Sequence, residues 1–514
     1  MKYLLLALVI GALLRIPGCF TQEQLQRWGL FEADEEQHMA IAVDRYNELA
    51  GPKGAIADPF EFGNFNVQGY GRVSAYVLYG WHLVTGRLPD FATIIYTNRG
   101  LAITYSLLLI VVVYFLGRTL GLSQTYAGLA ALLVASCDLL ISYGHYGLPL
   151  SGYVLFVYLS LLGGCRLLRG PDPVGLILLA LGAAGALAFK FDGFVAVWGG
   201  LLLLYAAAIR RKHAHQLPLY YLPLALGLGL LFLWLLTYGW SWEEIRFSFE
   251  ELRRQNADVV ERDDHLRDNL IVYPLMVMAG IGLPVFALAV YGVSRTRPRP
   301  AVLYMAGLLL TEFVLLWVLD TTFVRRAAVF MPAVALLAAA AVARLRPRPV
   351  WVVGMVAWSL GLALTGQYNH WHDTRYAFRD WAREALPPPV RIGTAGISVG
   401  GLPNTRYYEG APLDYFAVHE SIGGRYTRSA TTPFGVPDCC AEVYHCGPEA
   451  RCRQVQGILL GEHPGFELVR EFAPLDVFPE RLLYAALFGY YETFVGYVRV
   501  YRRVAPQRNT YPLS

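Results

Sequence analysis

Charge is scarce in this sequence. Of its 514 residues, 16% are Asp, Glu, Lys or Arg, where soluble domains carry roughly 25%. The deficit falls in many long apolar blocks. With 55% hydrophobic residues and a mean hydropathy of +0.40, it excludes an ordinary soluble enzyme and indicates an integral membrane protein. Net charge is also small, at +4. The cations sit in short loops, where they read as topology signals and not as a nucleic-acid surface. Cysteine is sparse, with seven in all. Cys137 and Cys165 lie in apolar runs and Cys19 at the end of one, while Cys439, Cys440, Cys446 and Cys452 crowd into one polar stretch. No internal repeat is visible. No compact metal-ligand motif is visible either, so no cofactor is assigned, and a divalent metal is left open without being indicated.

Long apolar runs are what the sequence does have. A helix needs ~20 apolar residues to cross ~30 Å of hydrocarbon. That length predicts about eleven spans, near 3–20, 98–117, 124–143, 149–167, 173–188, 191–209, 219–240, 270–293, 301–319, 327–344 and 350–366. Residues 3–20 read as a retained first span, with a cleaved signal peptide as the alternative. Arg118; Arg166 and Arg169; Arg210, Arg211 and Lys212; Arg295, Arg297 and Arg299; and Arg344, Arg346 and Arg348 fall in alternate loops. The positive-inside rule places those loops in the cytoplasm. Loop 21–97, the short loops near 144–148 and 189–192, segment 241–269, loop 320–326 and the tail from 367 then face outward. Counting 73–86 as a span would reverse this order, so it is read as an amphipathic surface helix. Segment 241–269 reads as a second one. The expected architecture is a mainly α multi-span bundle over 1–366, followed by a small extracytoplasmic α/β domain over 367–514. In an exported domain the four clustered cysteines suggest two disulfides, and zinc is the weaker alternative.

The outward loop opens with "ADEEQHMAIAVDRYNELA", residues 33–50, where Met39, Val43 and Tyr46 form an apolar stripe at helical spacing. Asp34 can N-cap this helix, with Gln37 as its capping-box partner. Other ionisable residues gather at outward span ends: Arg15, Asp138, His145, Lys190, Asp192, Arg325 and Arg326. Such groups cost several kcal/mol in a bilayer unless they meet a cavity or a partner. Arg15 and Arg326 suit interface anchors, whereas Lys190 in "ALAFKFDGF", beside Asp192, suits a functional role. Glu312 sits mid-span in "LLLTEFVLL" and requires a buried partner that the sequence does not name. A carboxylate above a cationic cavity at membrane level suits group transfer from a lipid phosphate. The cations hold the anionic leaving group, and the carboxylate takes a proton from the attacking hydroxyl or amine.

This ordered set resembles the GT-C membrane glycosyltransferases, in particular bacterial relatives of protein O-mannosyltransferases and of the lipid A aminoarabinose transferase. The matching features are "LLRIP" closing the first span, "ADEEQHMAIA" opening a surface helix, "NRGLAITYSLLLIVVVYFLGRTLG", "AALLVASCDLLISYGHYGLPLSGYVLF", "AGALAFKFDGF", "FVRRAAVFMPAVALLAA" and the tail "DTRYAFRDWAREALPPPVRIGT" with its closing "VYRR". The resemblance implies inverting transfer of a sugar from a polyprenyl-phosphate donor to an extracytoplasmic protein, lipid or glycan, at the inner membrane. It implies Asp34 as catalytic base and Glu35 as its helper or an acceptor contact. Lys190 would hold the lipid phosphate with His145 and Arg325, and Asp192 and Arg15 would be further substrate contacts. Two features depart from the family. "FNVQGYGRVSAYVL" lacks the Pro-Pro pair that often precedes the second surface helix, and "HYGLPLSG" lacks the acidic residue that many relatives carry after the outward turn between the third and fourth spans. A polyprenyl-lipid transporter or flippase, or a non-catalytic envelope scaffold, are the alternative functions.

Overall fold

The computed structural model describes residues 2–17, 33–57, 72–190, 193, 196–200, 217–237, 265–295, 300–318, 324–386, 389–395, 397, 405–407, 413–420, 423, 449–488 and 496–504. The chain divides into two compact units, Met1–Leu364 and Thr365–Ser514.

The first unit is helical. Its elements are α1 (Lys2–Arg15), α2 (Ala33–Ala50), α3 (Arg72–Thr85), α4 (Phe91–Thr119), α5 (Gln124–Ala135), α6 (Asp138–His145), α7 (Leu150–Leu167), α8 (Pro173–Phe189), α9 (Leu217–Thr237), α10 (His265–Ile281), α11 (Leu283–Arg295), α12 (Pro300–Val318), a 3-10 helix (Val324–Phe330), α13 (Met331–Leu345) and α14 (Pro349–Trp371). Four stretches among the described residues are long and apolar enough to cross a membrane: Phe91–Thr119, Leu150–Leu167, Arg325–Leu345 and Pro349–Ala385. The α5–α6 pair makes a fifth if its two halves count as one span. Shorter apolar helices occupy most of the other runs expected to span, including α8 and α11. Segments 201–209 and 241–264 lie outside the described residues.

Two apolar runs that look continuous are broken. The run 124–143 bends by 54° between α5 and α6. The run 270–293 breaks at Gly282, whose φ of +99° lies in the left-handed region that glycine alone adopts without strain. Helix α3 has 14 residues. At 1.5 Å per residue it is about 21 Å long, too short for a ~30 Å core. Helices α7 and α8 pack backbone to backbone. A Cβ on Gly163 would land on the main chain of Gly175 and Leu179, and one on Gly182 on the main chain of Ser160. Small residues at such contacts let membrane helices approach closely.

In the second unit a five-stranded sheet has the order β2-β1-β3-β5-β4. The strands are β1 (Ile392–Ala395), β2 (Thr405–Tyr407), β3 (Tyr415–His419), β4 (Phe466–Phe472) and β5 (Val498–Arg503). β1 pairs in parallel with β2 and β3, and β5 runs antiparallel to both β3 and β4. Alternate residues feed two cores. Ala417, Val498 and Val500 pack with Phe378 and Ala382 of α15 (Thr374–Ala385). Phe416, Val418 and Tyr501 pack on the other face with Val455, Ile458 and Leu459 of α16 (Glu449–Leu460). A last helix, α17 (Pro479–Phe488), precedes β5. Cys439, Cys440 and Cys446, and the side chain of Cys452, lie outside the described residues.

Candidate functional site

The apolar stripe of α2 builds the roof of the site. Met39, Val43 and Tyr46 are fully buried and pack on Ala75 and Leu78 of α3 and Ile94 and Ile95 of α4. The Tyr46 hydroxyl donates to the Gly54 carbonyl (3.0 Å), tying the end of α2 to the following turn. The helix begins at Ala33, so Asp34 occupies its first turn and does not precede it as a cap. The Asp34 side chain and all of Asp192 lie outside the described residues.

Glu35, the next residue, is fully buried. Arg99 of α4, also fully buried, donates to it in a fork: Nε to Oε1 at 2.7 Å and Nη2 to Oε2 at 3.0 Å. The backbone N–H of Gly147 donates to the same Oε1 at 2.9 Å. Charged, bidentate hydrogen bonds of this kind are the strong ones. They fix the first turn of α2 to α4 and to the loop between α6 and α7. Glycine is required at that loop position, because a Cβ on Gly147 would lie 2.9 Å from Asn98 Cβ and 3.0 Å from Met39 Cε.

Beneath this clamp is a small open pocket with a cavity volume of about 30 Å³. Its polar lining comes from His38 of α2, Ser74 of α3, and Asn98 and Tyr105 of α4. The 147–149 turn and Ala188 and Phe189 of α8 complete it. The Tyr105 ring meets Phe189 edge to face at 5.2 Å, and Phe189 stacks on Phe156 at 5.4 Å. The lining therefore combines polar and aromatic groups.

Lys190 follows Phe189 directly and ends α8. Its Nζ lies 5.3 Å from the centre of the Tyr153 ring, in cation–π range. The Tyr153 hydroxyl donates to Glu312 Oε1 at 2.7 Å. This supplies the buried partner that the mid-span carboxylate requires. Tyr158, one turn further along α7, accepts from the Ala333 N–H and donates to the Val329 carbonyl. Helix α7 thus holds α12 and the junction of the 3-10 helix with α13. Arg325 is half-buried in that 3-10 helix.

Arg15 is not an anchor at the interface. It is fully buried, with Nε donating to Ser106 Oγ (2.7 Å) and Nη1 to the Ala135 carbonyl (2.9 Å). Nη2 reaches the Val134 carbonyl at 3.3 Å. These carbonyls end α5, where the Val134 carbonyl keeps a long bond from the Cys137 N–H (3.4 Å), and a cation there also complements the helix dipole. Buried Asp138 begins α6 on the other side of the break. His145 Nε2 lies 3.1 Å from the Leu14 carbonyl, at the same helix end.

The structure therefore brings Glu35 to the 147–149 loop, Lys190 to Tyr153 and Glu312, and Arg15 and His145 to the broken span. Neither Lys190 nor His145 lines the cavity. Sequence reading assigned no role to Arg99, Asn98, Tyr105 or Tyr153. A signal existed for Arg99, an ionisable residue at the head of a long apolar run.

These features define a polytopic helical membrane protein with a polar, aromatic-walled cavity roofed by a surface helix, and with a separate α/β unit. No family model matches the sequence, and no curated protein matches it. Among solved structures the chain overlaps the archaeal oligosaccharyltransferase AglB from Archaeoglobus fulgidus, in complex with an inhibitory peptide and a dolichol-phosphate. That overlap has 12% identity, covers 98% of this chain and 88% of that chain, and has a TM-score of 0.46. ArnT from Cupriavidus metallidurans in the apo state overlaps at 15% identity over 97% of each chain, with a TM-score of 0.48. The same protein bound to undecaprenyl phosphate overlaps at 13% identity over 85% of this chain and 96% of that chain, with a TM-score of 0.47. At these values the overlaps assign neither activity nor substrate to this chain.

Proposed function

We propose that this chain is a GT-C-type membrane glycosyltransferase, moving a sugar from a polyprenyl-phosphate donor to an acceptor outside the cytoplasm. The acceptor hydroxyl or amine attacks the anomeric carbon opposite the phosphate, a carboxylate at position 34 takes its proton, and the C–O bond to phosphate breaks. The configuration at that carbon inverts, and the lipid phosphate leaves as an anion held by cations. Lys190 is assigned to that anion, with Arg325 and His145 as further contacts. Arg15 and Glu35 are assigned to holding the frame.

The observation that carries this reading is the anchored first turn of α2. Position 34 stands one turn before His38, which lines the cavity. The neighbouring Glu35 is locked by Arg99 and Gly147. A general base must be held in place to be useful, and one so placed contributes ~10²–10⁴-fold. The far wall of the cavity ends at Phe189, the residue before Lys190. Tyr105 and Phe189 give it apolar faces of the kind that meet sugar C–H surfaces.

The test is transfer of label from a panel of polyprenyl-phosphate sugars, in membranes with and without the chain. Label that appears in protein, lipid or glycan only when the chain is present supports the reading. If no donor gives transfer but the labelled lipid changes leaflets, the chain is a flippase instead.

A further inference from the structure

Helix α17 is built inside out. Its ionisable residues Glu480 and Arg481 are 1% and 3% exposed, and Tyr484 is 4% exposed. Leu482 and Leu483 are 52% and 45% exposed, and Pro479, Ala485 and Ala486 are exposed with them. At 100° per residue, Pro479, Leu482, Leu483 and Ala486 share one wholly apolar face. The approach to the helix continues it, with Leu475 at 45% and Val477 at 61% exposure. A helix bathed in water places these residues the other way round. The pattern is the one expected where the outer medium is hydrocarbon and the inner one polar protein.

A second observation locates that medium. Leu475 and Asn369 hold each other reciprocally: Asn369 Nδ2 donates to the Leu475 carbonyl (2.7 Å), and the Leu475 N–H donates to Asn369 Oδ1 (2.8 Å). Asn369 lies in the last turn of α14, a helix apolar enough to span. The exposed stripe of α14 runs through Leu364, Tyr368 and Trp371. Aromatic residues at the end of such a stripe mark the membrane–water interface. The apolar segment before α17 is thus pinned to the turn where α14 leaves the bilayer. The burial of Glu480 and Arg481 turns the charged side of α17 away from the outer medium.

We infer that α17, with Leu475 and Val477, lies in the bilayer interface as a monotopic anchor, its Leu482–Leu483 face in the leaflet that α14 leaves at Trp371. The partner is phospholipid acyl chain. The inference rests on membrane insertion alone, so failure of the transferase reading leaves it standing.

The test places a photoreactive benzoylphenylalanine at 482 and, separately, at 483 in the full chain in native membranes. Both positions are exposed, so each serves as a check on folding at the other. Gln454, an exposed position on α16, is the control. Irradiation should give phospholipid adducts at 482 and 483 at roughly ten times the yield at 454, as expected for a face sunk below the headgroups. Adducts to another polypeptide, or equal lipid yields at all three positions, would overturn the inference.

Discussion

Replacing Arg99 with methionine removes the fork that holds Glu35 and leaves a fully buried carboxylate with the Gly147 N–H as its remaining described donor from the clamp. Breaking one partner of a buried ion pair costs about 3–5 kcal/mol, because the surviving charge is stranded. Glu35→Gln strands the guanidinium in the same way and should cost a similar amount. The double variant strands neither charge, and glutamine still accepts from Gly147. Its cost should therefore fall below the sum of the single costs by about 2–3 kcal/mol, the upper range of coupling for residues in direct contact. Unfolding of each variant in mixed micelles, followed by an optical probe of helix content, gives the four corners of the cycle. Strict additivity, or an Arg99→Met change within about 0.5 kcal/mol of wild type, would refute the claim that this pair fastens α2 to α4. The same displacement should lower sugar transfer, since position 34 stands in the turn that the pair holds.

Other outcomes follow from the same geometry. Tyr153→Phe deletes the hydroxyl that donates to buried Glu312 and should cost about 1–3 kcal/mol. The phenylalanine ring keeps its contact with Lys190, so the Lys190 assignment is tested by Lys190→Met, which should raise the KM for donor more than it lowers kcat; equal KM values would oppose that role. In the C-terminal unit, burial pushes the His419 imidazole down to about 3, with the nearby Arg375 charge adding to the effect. The unfolded histidine titrates near 6.5, so only the unfolded chain gains this proton between those values. Stability of this unit should then fall as pH drops from about 6.5 toward 3, by up to ~1.4 kcal/mol per pH unit. Burial alone would raise the Asp373 carboxyl, but the Arg375 charge and hydrogen bonds hold it below its usual range, which extends the loss to lower pH. A thermal midpoint for this unit that is flat between pH 7 and 4 would contradict the histidine claim, and one that does not fall further below pH 4 would contradict the aspartate claim.

Much of the helical frame was legible in hydropathy, because each long apolar run needs an apolar setting whatever its neighbours are. The Met39, Val43, Tyr46 stripe became core for the same reason, and "RYAFRDWAREAL" formed α15 and "YVRVYRRV" formed β5. The bends at Ser136–Cys137 and Gly282 were not legible, since a break inside an apolar run leaves the composition unchanged. Buried pairs were hidden too. Glu35 and Arg99 are 64 positions apart, and Tyr153 and Glu312 are 159 apart. Nothing local in the sequence marks such partners. Arg15 suited a snorkelling anchor because its use, capping the carbonyls at the end of α5, exists only once that span breaks. Helix α17 escaped notice because its apolar run is short, and its anomaly shows only when burial is set beside residue type.

The most direct test of the central claim is Asp34→Asn in membranes supplied with whichever labelled polyprenyl-phosphate sugar the wild-type chain uses. Transfer should fall by ~10²–10⁴-fold, with the thermal midpoint and donor binding unchanged. Transfer at the wild-type rate would remove the carboxylate at position 34 as the base and, with it, the mechanism proposed for this chain.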